Sequence, residues 1–287
     1  MKKILIIGKH SYIGSFFKEW IEKTYSNYIV HSVSSRNGKW KSVDFGDYDT
    51  VIDVAGIAHV EAKKGEEQLY YKVNRDLAIA LAKKSQKEKT RQFIYLSSMI
   101  VYGENNVKNP IIKVSKQTKP NPNGFYGKSK LQAEQKLLEL SNKEFKVLIV
   151  RPPMVYGKGS KGNYRKLAKL AKYTPIFPNI NNQRSMIYIE NLCECLRLMI
   201  ENEESGIICP QNQEYVNTTD LVKEIGNISG KKIITTNIFN PIILLLSKKI
   251  NMFNKIFGTM TYTKEMSKYQ EEYCLVDFKE SIRRTEC

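Results

Sequence analysis

KKILIIGKHSYIG, residues 2–14, decides the fold. Its first part, KKILIIG (2–8), holds four consecutive large aliphatic residues without polar alternation. That texture belongs to a strand covered on both faces. Gly8 interrupts the run, and the segment from Ile13 to Lys23 takes up helical periodicity. Two lysines give the N-terminus a superficial likeness to a secretory leader. The apolar run is too short for one and no small-residue cleavage site follows, so a buried strand is the better reading.

Working outward, NYIVHSV (27–33), SVDF (42–45), TVIDVAG (50–56), RQFIYLSS (91–98) and FKVLIVR (145–151) read as further strands. A helix is expected over about 66–86, where Leu69, Val73, Leu77, Ala80 and Leu81 form an apolar stripe, and another from Tyr126 to about Leu140. Alternation of this kind predicts an α/β chain with a doubly wound parallel sheet, Rossmann-like in plan. Such a sheet brings Gly8, Ala55–Gly56, Ser97–Ser98 and Pro152–Pro153 to the carboxyl edge of its strands, where these sheets bind ligands. After Arg151 the texture changes to a loop (152–162), a helix (163–173), a loop (174–185), MIYI and a helix from Glu190. A smaller C-terminal lobe is expected there, residues 161–287 against 1–160, the two interleaved. Residues 231–270 read as helices without identifiable chemistry.

The 287 residues carry a net charge of +17, which points to an anionic partner. The lysines are scattered and no basic block is interleaved with aromatics, so no nucleic-acid groove is expected. Five cysteines (Cys193, Cys195, Cys209, Cys274, Cys287) lack C-x-x-C spacing, and only His10, His31 and His59 could add imidazole ligands. Free thiols in a reducing cytoplasm and no metal are the expectation. The longest apolar run elsewhere, PIILLL (241–246), is far below the ~20 residues of a membrane span. With Lys248, Lys249 and Lys255 beyond it, it suits a helix lying on a membrane or, as expected here, one packed on its own domain.

The turn Gly8-Lys-His-Ser11-Tyr12-Ile13-Gly14 keeps the outer glycines of a dinucleotide-binding turn, with Ser11 at the middle position. There the backbone approaches a pyrophosphate at a helix N-terminus. The second strand ends in SVSSR: Ser34, Ser35 and Arg36, and no carboxylate. A guanidinium with hydroxyls suits a 2′-phosphate, whereas NAD sites place an acid there. NADP is therefore expected ahead of NAD, with Asp44 in the third strand also among the cofactor contacts. Finally, Tyr126 and Lys130 in GFYGKSK (124–130) fall one helical turn apart. An adjacent ammonium favours a phenolate and suits a tyrosine to acid–base work. The pair alone is no signal: 17 tyrosines and 37 lysines in 287 residues produce that spacing by chance about twice.

Together, Gly8…Gly14, VIDVAG, SSMIVYG (97–103), YGKSK (126–130), RPPMVYGKG (151–159) and NQRSMIYIENL (182–192) resemble the extended short-chain dehydrogenase/reductase family. They resemble in particular its NAD(P)-dependent nucleotide-sugar epimerases, dehydratases and reductases, from residue 1 to about 225. KGNYRKL and DFKESIRRTE are most similar to bacterial members of surface-polysaccharide synthesis, leaning toward reductases of 4-keto-6-deoxy-N-acetylhexosamine nucleotides. The resemblance implies that Tyr126 is the catalytic acid/base and that Lys130 holds the cofactor ribose and lowers the tyrosine's pKa. Ser98 would bond the reacting sugar oxygen, and the backbone around Pro153–Val155 would border the nicotinamide. Asn163 and Arg184 would contact the substrate's nucleotide diphosphate. It also implies a nucleotide-sugar substrate and a helix-paired homodimer. Met99 and Ile100 stand where dehydratases carry an Asp–Glu pair, which argues against dehydration.

Overall fold

A computed structural model describes residues 1–57, 65–105 and 111–287, without the side chains of 251 and 252. His59 lies outside the described residues. In chain order the strands are β1 (Lys2–Ile7), β2 (Tyr28–Val33), β3 (Thr50–Asp53), β4 (Gln92–Leu96), β5 (Ile111–Val114), β6 (Lys146–Val150), β7 (Met154–Tyr156), β8 (Ile176–Pro178), β9 (Met186–Tyr188), β10 (Gly206–Ile208), β11 (Ile234–Thr236) and β12 (Thr259–Tyr262). The helices are α1 (Tyr12–Thr24), α2 (Glu67–Tyr71), α3 (Leu77–Lys87), α4 (Phe125–Leu138), α5 (Asn163–Tyr173), α6 (Ile189–Glu201), α7 (Thr218–Ile228), α8 (Asn240–Ser247), α9 (Asn251–Phe257) and α10 (Phe278–Glu286).

The chain forms two compact units. The first comprises Met1–Gly103, Pro120–Pro152 and Leu192–Pro210. Its six-stranded sheet runs β10-β6-β4-β3-β1-β2, every pairing parallel. The α/β doubly wound fold expected from the alternation is therefore present. The chain leaves β1 for β2 on one side and returns to β3 on the other, so the topological switch lies between β1 and β3. Ile4, Leu5, Ile6 and Ile7 of β1 are all buried, as an apolar run without alternation requires. In α1, Gly14, Phe17 and Ile21 make the inward face at helical spacing. Leu5, Ile7, Val51, Phe93, Tyr95, Val147 and Ile149 from the strands pack with Ala78, Leu81, Ala133 and Leu137 of α3 and α4.

Two expectations fail for local reasons. SVDF is not a strand: 3-10 turns span Arg36–Ser42 and Phe45–Asp47. Side chains satisfy its backbone instead of a ladder. The Phe45 amide donates to Glu88 at 2.7 Å, the Gly46 amide to Asp44 at 2.9 Å, and the Thr90 hydroxyl to the Phe45 carbonyl at 2.8 Å. The sixth sheet strand is β10, which follows residue 200. The apolar stripe of the 66–86 helix also shifts. Leu69 is exposed, while Tyr70, Asn74 and Ala78 are buried. A single π turn, Lys72–Asp76, separates α2 from α3, and the inward position inside it is an asparagine that an apolar count passes over.

The second unit comprises Glu104–Lys119, Pro153–Asn191 and Gln211–Cys287. Its strands pair two by two and parallel: β5 with β12, β7 with β9, β8 with β11. Helices α5 and α10 pack on α7. The 240–247 run does form a helix, α8, and it packs on α9 of its own unit along one face alone. Only Ile243 is buried, and Ile242, Leu244 and Leu245 are exposed.

Inside the first unit a buried ion pair ties α4 to the strand ends. Arg151 and Glu134 are both below one-tenth exposed; Arg151 Nε lies 3.1 Å from Glu134 Oε1, and Arg151 Nη1 donates to the Tyr102 hydroxyl at 2.6 Å. The Ser97 hydroxyl donates to the same carboxylate. Removing one member of such a pair strands a charge without water. Glu134→Ala is expected to lower the unfolding free energy by about 3–5 kcal/mol in urea titrations. Converting both Glu134 and Arg151 to Met should recover more than half of that loss.

Candidate active site

The site grows from the turn after β1. Gly8 sits at φ +122°, a region that favours glycine, and a Cβ there would lie 3.1 Å from the Ala55 nitrogen. Its amide donates to the Val33 carbonyl at 2.9 Å, which fixes the turn against β2. Ser11 caps α1, accepting from the Gly14 amide at 3.5 Å. A Cβ on Gly14 would stand 2.7 Å from Val54 Cγ2 and 2.9 Å from Ile6 Cγ2, so this glycine lets the helix close on the sheet. Tyr12 and Ile13 open α1, and burial pushes the Tyr12 phenol well up from its usual range. The backbone amides of a capped helix start at a switch point fit a pyrophosphate.

Next to this turn, a cleft of about 350 Å³ opens at the end of β2. Lys9, His10, Ser34, Arg36, Asn37 and Lys39 line it, and among the described residues no carboxylate does. The Ser34 hydroxyl accepts from the Arg36 amide at 3.1 Å, leaving the guanidinium exposed. Asn37 and Gly38, at φ 57° and 67°, bend the chain around the cleft. These groups fit the phosphate-bearing end of a dinucleotide. Asp44 does not line the cleft, because its carboxylate caps the 3-10 turn at Phe45–Asp47.

The candidate catalytic side chains meet where β3, β4 and α4 adjoin. Ser98 ends the β4 segment and caps the 3-10 turn Met99–Tyr102, its hydroxyl accepting from the Ile100 amide at 3.3 Å. The Met99 amide is anchored to the Pro152 carbonyl at 2.9 Å. Tyr126 is the second residue of α4, and its phenol is hydrogen-bonded with Ser98. The glycine between Tyr126 and Lys128 allows this: a Cβ on Gly127 would fall 2.6 Å from Pro122 Cβ and 3.0 Å from the Ile100 carbonyl. One turn on, the Lys130 ammonium donates to the Leu96 carbonyl at 2.7 Å and lies 4.4 Å above the Tyr95 ring. Ser98, Tyr126 and Lys130 are thus brought together on adjoining elements.

The electrostatics differ from the simple expectation. Burial pushes the Tyr126 phenol up to about 12, with the Ser98 hydrogen bond pulling the other way. Lys130 is not among the groups that shift it; its ammonium is committed to the Leu96 carbonyl. Burial brings Lys130 itself down to about 8, opposed by the charges of Asp53 and Glu134. Asp53 is fully buried and pushed up to about 7 by that burial, against the pull of Lys130 and the Ala55 amide. One carboxylate oxygen accepts from Ala55 at 2.9 Å, and the other has no hydrogen-bond partner among the described residues.

Asp53, Asn74, Tyr95 and Glu134 adjoin these candidates, and the motifs did not reveal them. Asn74 grips the loop after β3, accepting from the Ile57 amide at 2.9 Å and donating to the Ser129 hydroxyl at 3.1 Å. The Tyr95 hydroxyl donates to the Asn74 carbonyl at 2.5 Å. A usable signal was present: a carboxylate within the apolar VIDVAG, and an amide in the middle of a helix. Gly56 stays small because a Cβ there would approach Asn74 Oδ1 at 3.2 Å and Lys130 Nζ at 3.3 Å.

The remaining sequence candidates belong to the second unit. Pro153 precedes β7 and Val155 lies within it, paired with Ile187. Asn163 begins α5, exposed, with Gly162 as the cap. Arg184 bridges to Val216 and Met260 through its backbone, and its Nη1 donates to the Lys255 and Gly258 carbonyls at 2.9 and 3.1 Å. It has no acidic partner among the described residues, and burial alone brings its guanidinium down to about 10.

Because the folded pKa of Asp53 is raised, the folded state holds a proton that the unfolded chain gives up near 3.8. The stability this carboxyl allows is full below that value and is lost as pH climbs to about 7. The melting temperature of the natural protein minus that of Asp53→Asn should therefore fall steadily between pH 5 and pH 7 and level off above. A flat difference would overturn the assignment.

Comparison with known proteins converges on the same reading. A model of the NAD dependent epimerase/dehydratase family matches residues 4–210. UDP-glucose 4-epimerase of Vibrio cholerae is 29% identical over 249 residues, covering 78% of this chain and 75% of that protein. N-acetyl-alpha-D-glucosaminyl-diphospho-ditrans,octacis-undecaprenol 4-epimerase of Escherichia coli O157:H7 is 26% identical over 275 residues, covering 89% and 81%. Among solved structures, UDP-glucuronic acid 4-epimerase from Bacillus cereus in complex with NAD superposes with a TM-score of 0.73 at 19% identity, covering 98% of this chain and 96% of that one. The fold, the glycine turn and the family match over most of the chain agree: this chain belongs to the NAD dependent epimerase/dehydratase family.

Proposed function

We propose that this protein is a nucleotide-sugar 4-ketoreductase that uses NADPH on a 4-keto-6-deoxy-N-acetylhexosamine nucleotide. The observation that carries the reading is the cleft at the end of β2, lined by Lys9, Arg36 and Lys39 and, among the described residues, by no carboxylate. Such a lining favours a 2′-phosphate, whereas a free ribose 2′-hydroxyl is served by an acid. When bound, the dinucleotide supplies hydride to the C4 carbonyl.

The chain's own groups do the rest. A phenol held near 12 keeps its proton at neutral pH, so Tyr126 acts as the acid and donates that proton to the carbonyl oxygen. The Ser98 hydroxyl, already bonded to the phenol, steadies the same oxygen as charge develops on it. Lys130, mostly charged at pH 7, holds the cofactor ribose. Arg184 has guanidinium donors without an acidic partner and suits the substrate's diphosphate, with Asn163 as a neutral contact. Met99 and Ile100 offer no acid or base beside Ser98, which disfavours elimination of water.

A second reading keeps every one of these residues. The two relatives above are 4-epimerases, and an epimerase would remove and return the hydride with the cofactor unchanged overall. Incubation with UDP-N-acetylglucosamine, and separately with its 4-keto-6-deoxy derivative plus NADPH, separates the two. Net NADPH oxidation with the keto sugar is the expected result. Isomerised UDP-N-acetylglucosamine without cofactor turnover would replace the reductase reading with the epimerase.

Two variants test the assignments. Tyr126→Phe should lower kcat by about 100- to 10,000-fold, while the Kd for NADPH, read by fluorescence quenching, changes little. Arg36→Ala should raise the KM for NADPH by about tenfold or more and leave that for NADH nearly unchanged.

A further inference from the structure

A helix that is apolar on all sides is normally buried. Helix α8 is not. Of NPIILLLS, Ile242, Leu244 and Leu245 are 57%, 63% and 59% exposed, and only Ile243 turns inward. The exposed run begins earlier, with Ile238 at 78% and Phe239, and resumes after α8 with Ile250. Ile234 and Ile176, neighbours in the β11–β8 pairing, are exposed as well. The Asn240 side chain donates to the Asn179 carbonyl at 2.8 Å, which fastens the start of α8 to the end of β8.

The charge around this surface has one sign. From Lys231 to Phe257 the sequence holds five lysines and neither Asp nor Glu. Lys255 pairs with Glu104 at 2.8 Å, but Lys248 and Lys249, directly after α8, are exposed with no acidic partner among the described residues. Exposed aliphatic residues beside unneutralised ammonium groups match a bilayer carrying anionic headgroups. A second copy of the chain fits poorly. A two-fold interface would set Lys248 and Lys249 near their own equivalents, with no carboxylate in the segment to separate them. At eight residues α8 is too short to cross a membrane, and no helix among the described residues is long and apolar enough to do so.

We infer that the α8 surface docks this protein on anionic phospholipid bilayers. Ile242, Leu244 and Leu245 enter the headgroup boundary, and Lys248 and Lys249 contact the lipid phosphates. This inference stands apart from the proposed chemistry, and its test reads no turnover.

The test is flotation of the full chain with vesicles of phosphatidylcholine alone or of an equal mixture with phosphatidylglycerol. The protein is expected to float with the mixed vesicles at low ionic strength and to be released as salt is raised. The triple variant Ile242→Ser, Leu244→Ser, Leu245→Ser and, separately, Lys248→Glu with Lys249→Glu should each weaken partitioning by about tenfold or more. Should the triple variant fail to fold, the lysine variant decides alone. Absence of flotation at low salt, equal flotation with phosphatidylcholine alone, or undiminished flotation of the lysine variant would each overturn the inference. So would loss of a dimer in sedimentation velocity for the triple variant when the natural protein does not float, which would assign the face to a second copy.

Discussion

A guanidinium and a carboxylate with almost no access to water hold the reactive corner of the first unit together. Arg151 leaves the end of β6, Glu134 stands on the buried side of α4, and the Ser97 hydroxyl joins them from the end of β4. Each needs the others, because none has water to turn to. Their mutual satisfaction fixes where α4 sits relative to the carboxyl ends of two strands. Ser98 is the next residue after one member of this network, and Tyr126 and Lys130 are carried on the helix that holds another. The approach of Ser98 and Tyr126 is therefore set by groups that lie behind them.

Above that anchor, the reactive corner is built from charges in a poor solvent. Asp53, Lys130 and Tyr126 are each displaced from their ordinary ionisation, and burial is the largest cause for all three. The shifts oppose one another. Burial disfavours the charge on Asp53 and on Lys130, while each favours charge on the other. Lys130 also leans on the Leu96 carbonyl and on the face of Tyr95, so the strand below it contributes to its position. An ammonium under such conditions responds to small changes in its neighbours.

Much of this was legible in the sequence, and the failures share a cause. β1, β3, β4 and β6 announce themselves because buried parallel strands are almost wholly apolar. The turn from Gly8 to Gly14 could be read because glycine spacing reports where backbones approach closely. SVDF misled because four residues of polar–apolar alternation have no local property that separates a strand from a turn whose amides are met by Asp44 and Glu88. β10 escaped because a three-residue strand gains its identity from pairing with β6 alone. Asn74 and Asp53 were missed for a related reason. Their roles depend on which neighbours the fold supplies, and polar residues in apolar stretches read as noise until those neighbours are known. Ser98, Tyr126 and Lys130 became legible only through resemblance, since their spacing in one chain carries almost no information.

The second unit is assembled from three separated stretches of chain, residues 104–119, 153–191 and 211–287. A gene with this layout resists modular inheritance. One recombination event between relatives replaces everything on one side of a breakpoint, so it cannot exchange this unit whole while leaving the other untouched. Novelty in such a lineage has to accumulate residue by residue, within a scaffold whose two parts are inherited as one.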